Sequence, residues 1–134
     1  MKNKPLHIML VDDSEIDILV HSTLLRHHGL AASISTYSFA GDALSALKKS
    51  NPEDLPDLIL LDLNMPVIDG WDFLRSCELL GDAFRDKCRI VMVSATMDFE
   101  EIERMKANPR ITAQFPKPLK VVDLKELIGE ISKN

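Results

Sequence analysis

Leu6-His7-Ile8-Met9-Leu10-Val11 is a short apolar run that stops abruptly at Asp12-Asp13. That pattern predicts a buried strand running out into a polar edge. The signature returns in Asp57-Leu58-Ile59-Leu60-Leu61-Asp62, again closed by a carboxylate, and in Ile90-Val91-Met92-Val93, closed by Ser94. Apolar residues on consecutive positions predict strands covered on both faces, as in the centre of a parallel sheet. A weaker strand is expected near Ser33 to Ser38, and a last short one holds Phe115 just before Lys117-Pro118.

Helical patterns fill the intervals. Ser14 with Asp17 three residues on resembles a capping box, and Ile16, Leu19, Val20, Thr23 and Leu24 fall at helical spacing, which places them on the apolar face of a helix ended by Gly29. Ala43, Leu44, Ala46 and Leu47 predict a second helix from about Asp42 to Lys49, closed by Asn51-Pro52. Asp69-Gly70 leads into a third, with Phe73, Leu74 and Cys77 on one side. An acidic helix from about Asp98 to Ala107 ends at Asn108-Pro109, and Leu124, Leu127, Ile128 and Ile131 mark the last. Five strands alternating with five helices predict an α/β fold: a parallel sheet joined by right-handed crossovers, with helices on both faces.

Composition narrows the function. The 134 residues read as one domain, 1–134, with no linker, repeat or appended output domain. Sixteen Lys+Arg against 21 Asp+Glu give a net charge of −5, which argues against a surface for nucleic acid or acidic lipid. No apolar run approaches a membrane span and no signal peptide opens the chain, so a cytoplasmic protein is expected. Cys77 and Cys88 read as free thiols. Neither they nor His7, His21, His27 and His28 have the spacing of a metal site. Trp71 reads as a packing residue at the core boundary.

The chemistry gathers where the strands end. In a parallel sheet all C-terminal strand ends emerge on one edge, so Asp12, Asp13, Asp62, Ser94 and Lys117 converge there from distant parts of the chain. Core packing asks for none of this. Clustered carboxylates repel unless a proton or a cation lies among them, and an all-oxygen donor set favours Mg²⁺. A carboxylate beside Mg²⁺, a lysine and a hydroxyl can act as a nucleophile toward a phosphoryl group, giving an aspartyl phosphate.

Asp12-Asp13, Asp62-Leu63-Asn64-Met65-Pro66 through Asp69-Gly70, Ser94-Ala95 and Lys117-Pro118 closely resemble, in order and over nearly the whole chain, the receiver domain of two-component response regulators. The resemblance implies a stand-alone, CheY-like, flavodoxin-like (βα)5 domain with strand order 2-1-3-4-5. It implies that Asp62 accepts phosphate from a phosphohistidine on a sensor histidine kinase or phosphotransfer protein. It further implies that Asp13, Asp62 and the backbone carbonyl of Asn64 ligate Mg²⁺, with Asp12 holding the metal through water. Ser94 and Lys117 would contact the phosphoryl oxygens, Asn64 and Thr96 would tune the lifetime of the acyl phosphate, and the Lys117-Pro118 bond is often cis in this family. Such a domain switches partner binding, as a monomer or a phosphorylation-dependent dimer, and is no multiple-turnover enzyme.

Two departures stand out. The family often places an aromatic switch residue three positions before the site lysine, but here that residue is Gln114, and strand alternation should turn Phe115 to the opposite face. Asn108-Pro109 stands where the family commonly has Gly-Ala, on the stretch from the fourth helix to the fifth strand that is the family's usual output face, so an unusual partner is expected.

Rival readings fit less well. A haloacid-dehalogenase-type phosphatase normally has Asp two residues after its nucleophile. Asn64 occupies that place and cannot shuttle a proton. A flavodoxin or dinucleotide-binding module would want a glycine-rich phosphate loop where Asp12-Asp13-Ser14-Glu15 stands. The alternative that survives is a pseudo-receiver, a protein-interaction module that works without phosphorylation.

Overall fold

The computed structural model describes residues 6–132. Five parallel strands, β1 (Leu6–Val11), β2 (Ala31–Tyr37), β3 (Leu58–Asp62), β4 (Arg89–Ser94) and β5 (Ile111–Pro116), form one sheet in the order β2-β1-β3-β4-β5. Both the sheet and its strand order are as expected. The α-helices among the described residues are α1 (Glu15–His27), α2 (Ala40–Lys49), α3 (Gly70–Cys77), α4 (Asp82–Lys87), α5 (Phe99–Lys106) and α6 (Val121–Ser132).

Strand alternation builds two cores from one sheet. Met9, Val11, Ile59, Leu61, Ile90 and Met92 face one side and pack with Ala43, Leu44 and Leu47 of α2, Phe73 and Leu74 of α3 and Met105 of α5. Ile8, Leu10, Leu58, Leu60, Val91 and Val93 face the other and pack with Leu25 of α1 and Leu124, Leu127 and Ile128 of α6. All five residues of β3 are buried, which explains its unbroken apolar sequence.

Two expectations about helices are corrected. α4 makes a sixth α-helix, absent from the alternating pattern; it is a short turn in the α3-to-β4 crossover, held by the fully buried Phe84. The apolar face assigned to α1 also lies on the wrong side. Ile16, Leu19 and Val20 are 73%, 64% and 45% exposed, while the buried positions are His21, Ser22 and Leu25, roughly half a turn away. Polar side chains can occupy a buried arc when they are hydrogen-bonded. Ser22 Oγ donates to Leu19 O at 3.2 Å, and His21 Nε2 accepts from the Leu119 N–H at 3.4 Å.

At β5, Met92 pairs with Gln114 and Val93 with Phe115. Phe115 therefore joins the core beneath α6, on the face opposite Gln114. The register irregularity lies upstream, between Ile90 and Val91, and leaves position 114 without an aromatic ring. Trp71 packs at the boundary as expected, with the Arg104 guanidinium 3.8 Å from its ring centroid. Cys77 and Cys88 are free and buried, and burial pushes both thiols up to about 12.

Candidate functional site

The chain reverses its direction of winding between β1 and β3, and the residues that end these two strands line the resulting crevice. Asp12 and Asp13 follow Val11, and Asp62 closes β3. One carboxylate oxygen from each lies within 4.8 Å of the others. Asp12 and Asp62 are buried while Asp13 is exposed, so the cluster opens to solvent on one side.

Local backbone structure holds each group. The Ser14 N–H donates to Asp12 Oδ1 at 2.9 Å, and the Asn64 N–H to Asp62 Oδ1 at 3.3 Å. Past Asn64 the chain turns sharply. Gly70 N donates to Leu63 O at 2.9 Å, and a Cβ on Gly70 would lie 3.0 Å from both Asp62 O and Leu63 Cα. Only glycine allows α3 to start this close to the end of β3. Asp69 then caps α3 in a reciprocal capping box with Asp72.

Lys117 arrives from β5, its backbone N–H donating to Ser94 O at 2.8 Å and its bond to Pro118 cis. Its Nζ lies 2.8 Å from Asp12 Oδ2 and 3.5 Å from Asp62 Oδ2. Ser94 is fully buried. Its Oγ accepts from Asn64 Nδ2 at 3.0 Å and donates to Thr96 O at 2.7 Å. Asp12, Asp13, Asp62, Asn64, Ser94, Thr96 and Lys117 thus form one connected constellation.

One member was missed by sequence reasoning. Asp17 Oδ2 lies 2.8 Å from Lys117 Nζ, as close as Asp12. Ser14 Oγ does cap α1 by accepting from the Asp17 N–H, but the Asp17 carboxylate is turned toward Lys117, so the expected capping box is only half formed. The signal available in the sequence was a carboxylate in the first turn of α1, four residues after Asp13 at the end of β1. Complete boxes occur instead at Asp69/Asp72 and Asp98/Glu101.

The electrostatics follow from burial and crowding. Desolvation, then the Asp12 charge, raises Asp62 from 3.8 to about 7, against the opposing pull of Lys117. The Lys117 hydrogen bond holds Asp17 below the ordinary carboxylate range. Lys117 itself is raised by its bonds to Asp12 and Asp17, which outweigh its own desolvation. One ammonium among four carboxylates leaves negative charge in excess, and the elevated Asp62 is where a proton answers it. The oxygen-only donor set and this unmet charge fit a hard divalent cation such as Mg²⁺.

A family model described as "Response regulator receiver domain" matches residues 8–129. A response regulator receiver protein from Dyadobacter fermentans is 37% identical, with a TM-score of 0.85, over 93% of this chain and 96% of that one. The receiver domain of a Pseudomonas aeruginosa sensor histidine kinase, described with a magnesium ion coordinated in its active-site cleft, is 20% identical with a TM-score of 0.77, covering 98% of this chain and 100% of that one. Among curated sequences, hybrid signal transduction histidine kinase L of Dictyostelium discoideum is 27% identical over 95% of this chain, which spans only 7% of that much longer protein. Among the described residues no helix is long and apolar enough to cross a membrane.

Proposed function

The chain belongs to the family of response regulator receiver domains of two-component signalling, and we propose that Asp62 is its phosphoacceptor. The observation that carries this reading is the placement of a buried carboxylate at the end of β3, within 4.8 Å of the Asp12 and Asp13 oxygens and 3.5 Å from the Lys117 ammonium. A carboxylate oxygen of Asp62 attacks the phosphorus of a phosphohistidine. The new O–P bond forms as the N–P bond breaks, and the imidazole leaves and regains its proton from solvent. Asp13, Asp62 and the Asn64 carbonyl would hold Mg²⁺ directly and Asp12 through water, and the metal supplies charge neutralisation for the transferred oxygens. Lys117 adds a second positive charge, and Ser94 offers a hydroxyl donor once it leaves Thr96 O.

The donor is a sensor histidine kinase or histidine phosphotransfer protein. Its docking surface is the exposed Ile16, Leu19 and Val20 stripe, on the same helix whose Asp17 reaches Lys117. The domain takes up one phosphoryl group and acts as a switch, with no external substrate to turn over.

Incubation with acetyl phosphate and Mg²⁺, followed by intact mass of wild type and Asp62→Asn, tests the assignment. One added phosphoryl group that requires the metal and is absent in the variant is the expected result. No gain in wild type, with beryllofluoride also failing to bind, would favour phosphorylation-independent partner binding instead.

A further inference from the structure

Lys117 Nζ is shared unequally. It lies 2.8 Å from Asp12 Oδ2 and from Asp17 Oδ2, but 3.5 Å from Asp62 Oδ2. Asp17 sits in the first turn of α1, with its backbone already fixed by the Ser14 cap, so its carboxylate is free of any capping duty. The backbone on both sides of Lys117 is also pinned. Lys117 N donates to Ser94 O at 2.8 Å, and Leu119 N donates to His21 Nε2 at 3.4 Å, one helical turn beyond Asp17 on the same helix. With β5 and α1 both anchored, the choice of partner for Lys117 is made by its flexible side chain rather than by movement of the loop.

We propose that Asp17 is a positioning residue that competes with the phosphoryl group for Lys117 and so restrains phosphorylation of Asp62. The inference rests on Asp62 being the phosphoacceptor. In the resting state Asp17 draws the ammonium toward α1. A phosphoryl group on Asp62 must recruit that ammonium against this pull, and binding tightens only by the difference between the two partners. The Asp17 side chain is 34% exposed, so the competing pair has the modest strength of a partly solvated ion pair.

The test is a double-mutant cycle at saturating Mg²⁺, measuring beryllofluoride affinity and the rate of phosphorylation by acetyl phosphate in wild type, Asp17→Asn, Lys117→Ala and the double variant, with thermal unfolding of each. Asp17→Asn should bind beryllofluoride about three- to five-fold more tightly than wild type, the size of a partly exposed ion pair. In the Lys117→Ala background the same substitution should change nothing, a dependence that a role in stabilising α1 alone would not produce. Equal affinities for wild type and Asp17→Asn, or an equal gain with and without Lys117, overturn the proposal and leave the phosphoacceptor assignment standing. Failure of wild type to bind beryllofluoride or take up phosphate overturns both.

Discussion

Asn64 Nδ2 donates to Ser94 Oγ at 3.0 Å, tying the segment after β3 to the end of β4. The Ser94 hydroxyl has one proton, and it is already given to Thr96 O at 2.7 Å. Ser94 therefore reaches a phosphoryl oxygen only by releasing Thr96, which stands two residues before Asp98, the N-cap of α5. On the proposed assignment of Asp62 as phosphoacceptor, this one proton couples phosphorylation to the β4–α5 segment.

The coupling is visible in backbone amides. Beryllofluoride in the presence of Mg²⁺ should shift the amide signals of Thr96 through Phe99, and Ser94→Ala should abolish most of that shift while leaving β2 and α2 signals unchanged. Unperturbed Thr96 to Phe99 amides in a saturated wild-type sample would show that Ser94 keeps its bond to Thr96 O in the loaded state.

Asp62 should make the metal-free protein less stable as pH rises. Its native value is raised from 3.8 to about 7, so between these limits the native state binds more protons than the unfolded chain. Stability then falls with increasing pH across that window and levels off above it. Asp62→Asn removes the effect and should be more stable than wild type at pH 8 by on the order of 2–4 kcal/mol, with little difference near pH 4. Urea midpoints of the two proteins in chelator at pH 4.5, 6 and 8 measure this. Mg²⁺ added at pH 8 should close much of the gap by stabilising wild type alone.

The sheet was legible because β1, β3 and β4 are buried on both faces along most of their length and so carry near-continuous apolar runs, broken only by the exposed His7 and the half-buried Arg89, each run closed by a polar residue of the candidate site. Asp12, Asp62, Ser94 and Lys117 could be placed on one edge by topology alone. α1 could not be read the same way. Its buried arc places Ser22 and His21, polar residues that find hydrogen-bond partners in the fold, beside Leu25, whereas Ile16, Leu19 and Val20 face solvent. Asp17 was hidden for a related reason. Local sequence offers it a cap, and only a lysine 100 residues away competes for it. Gln114 and Phe115 were legible, since strand alternation alone sends Phe115 under α6.

Because Ile16 and Leu19 are exposed, polar substitution should separate recognition from folding. Ile16→Ser combined with Leu19→Ser should keep stability within about 1 kcal/mol of wild type, as surface positions do. Phosphorylation by acetyl phosphate should be unaffected. Transfer from a phosphohistidine donor should slow at least ten-fold, as expected when apolar anchors leave an interface. A large loss of stability would instead return this stripe to the core.

Val67 adopts φ 68°, in the left-handed region, within the loop that connects Asp62 to α3. A β-branched residue there is strained, at a cost of about 1–3 kcal/mol. Burial returns nothing, because the side chain is 87% exposed. The Ile68 N–H donates to Pro66 O at 2.7 Å across this turn, and Gly70 N is bound to Leu63 O beyond it, so the conformation is imposed by the chain on both sides. Glycine adopts this φ freely but gives up about 0.5–1 kcal/mol through the greater freedom of the unfolded chain. Relief should therefore win narrowly. Val67→Gly is expected to stabilise the protein by about 1 kcal/mol, raising Tm by roughly 3 °C for a domain of this size. Val67→Asn should gain a similar amount without the entropic loss, since asparagine tolerates the left-handed region. Calorimetry of the three proteins decides it: a fall in Tm for both variants would mean that the Val67 side chain makes a stabilising contact that outweighs its backbone strain.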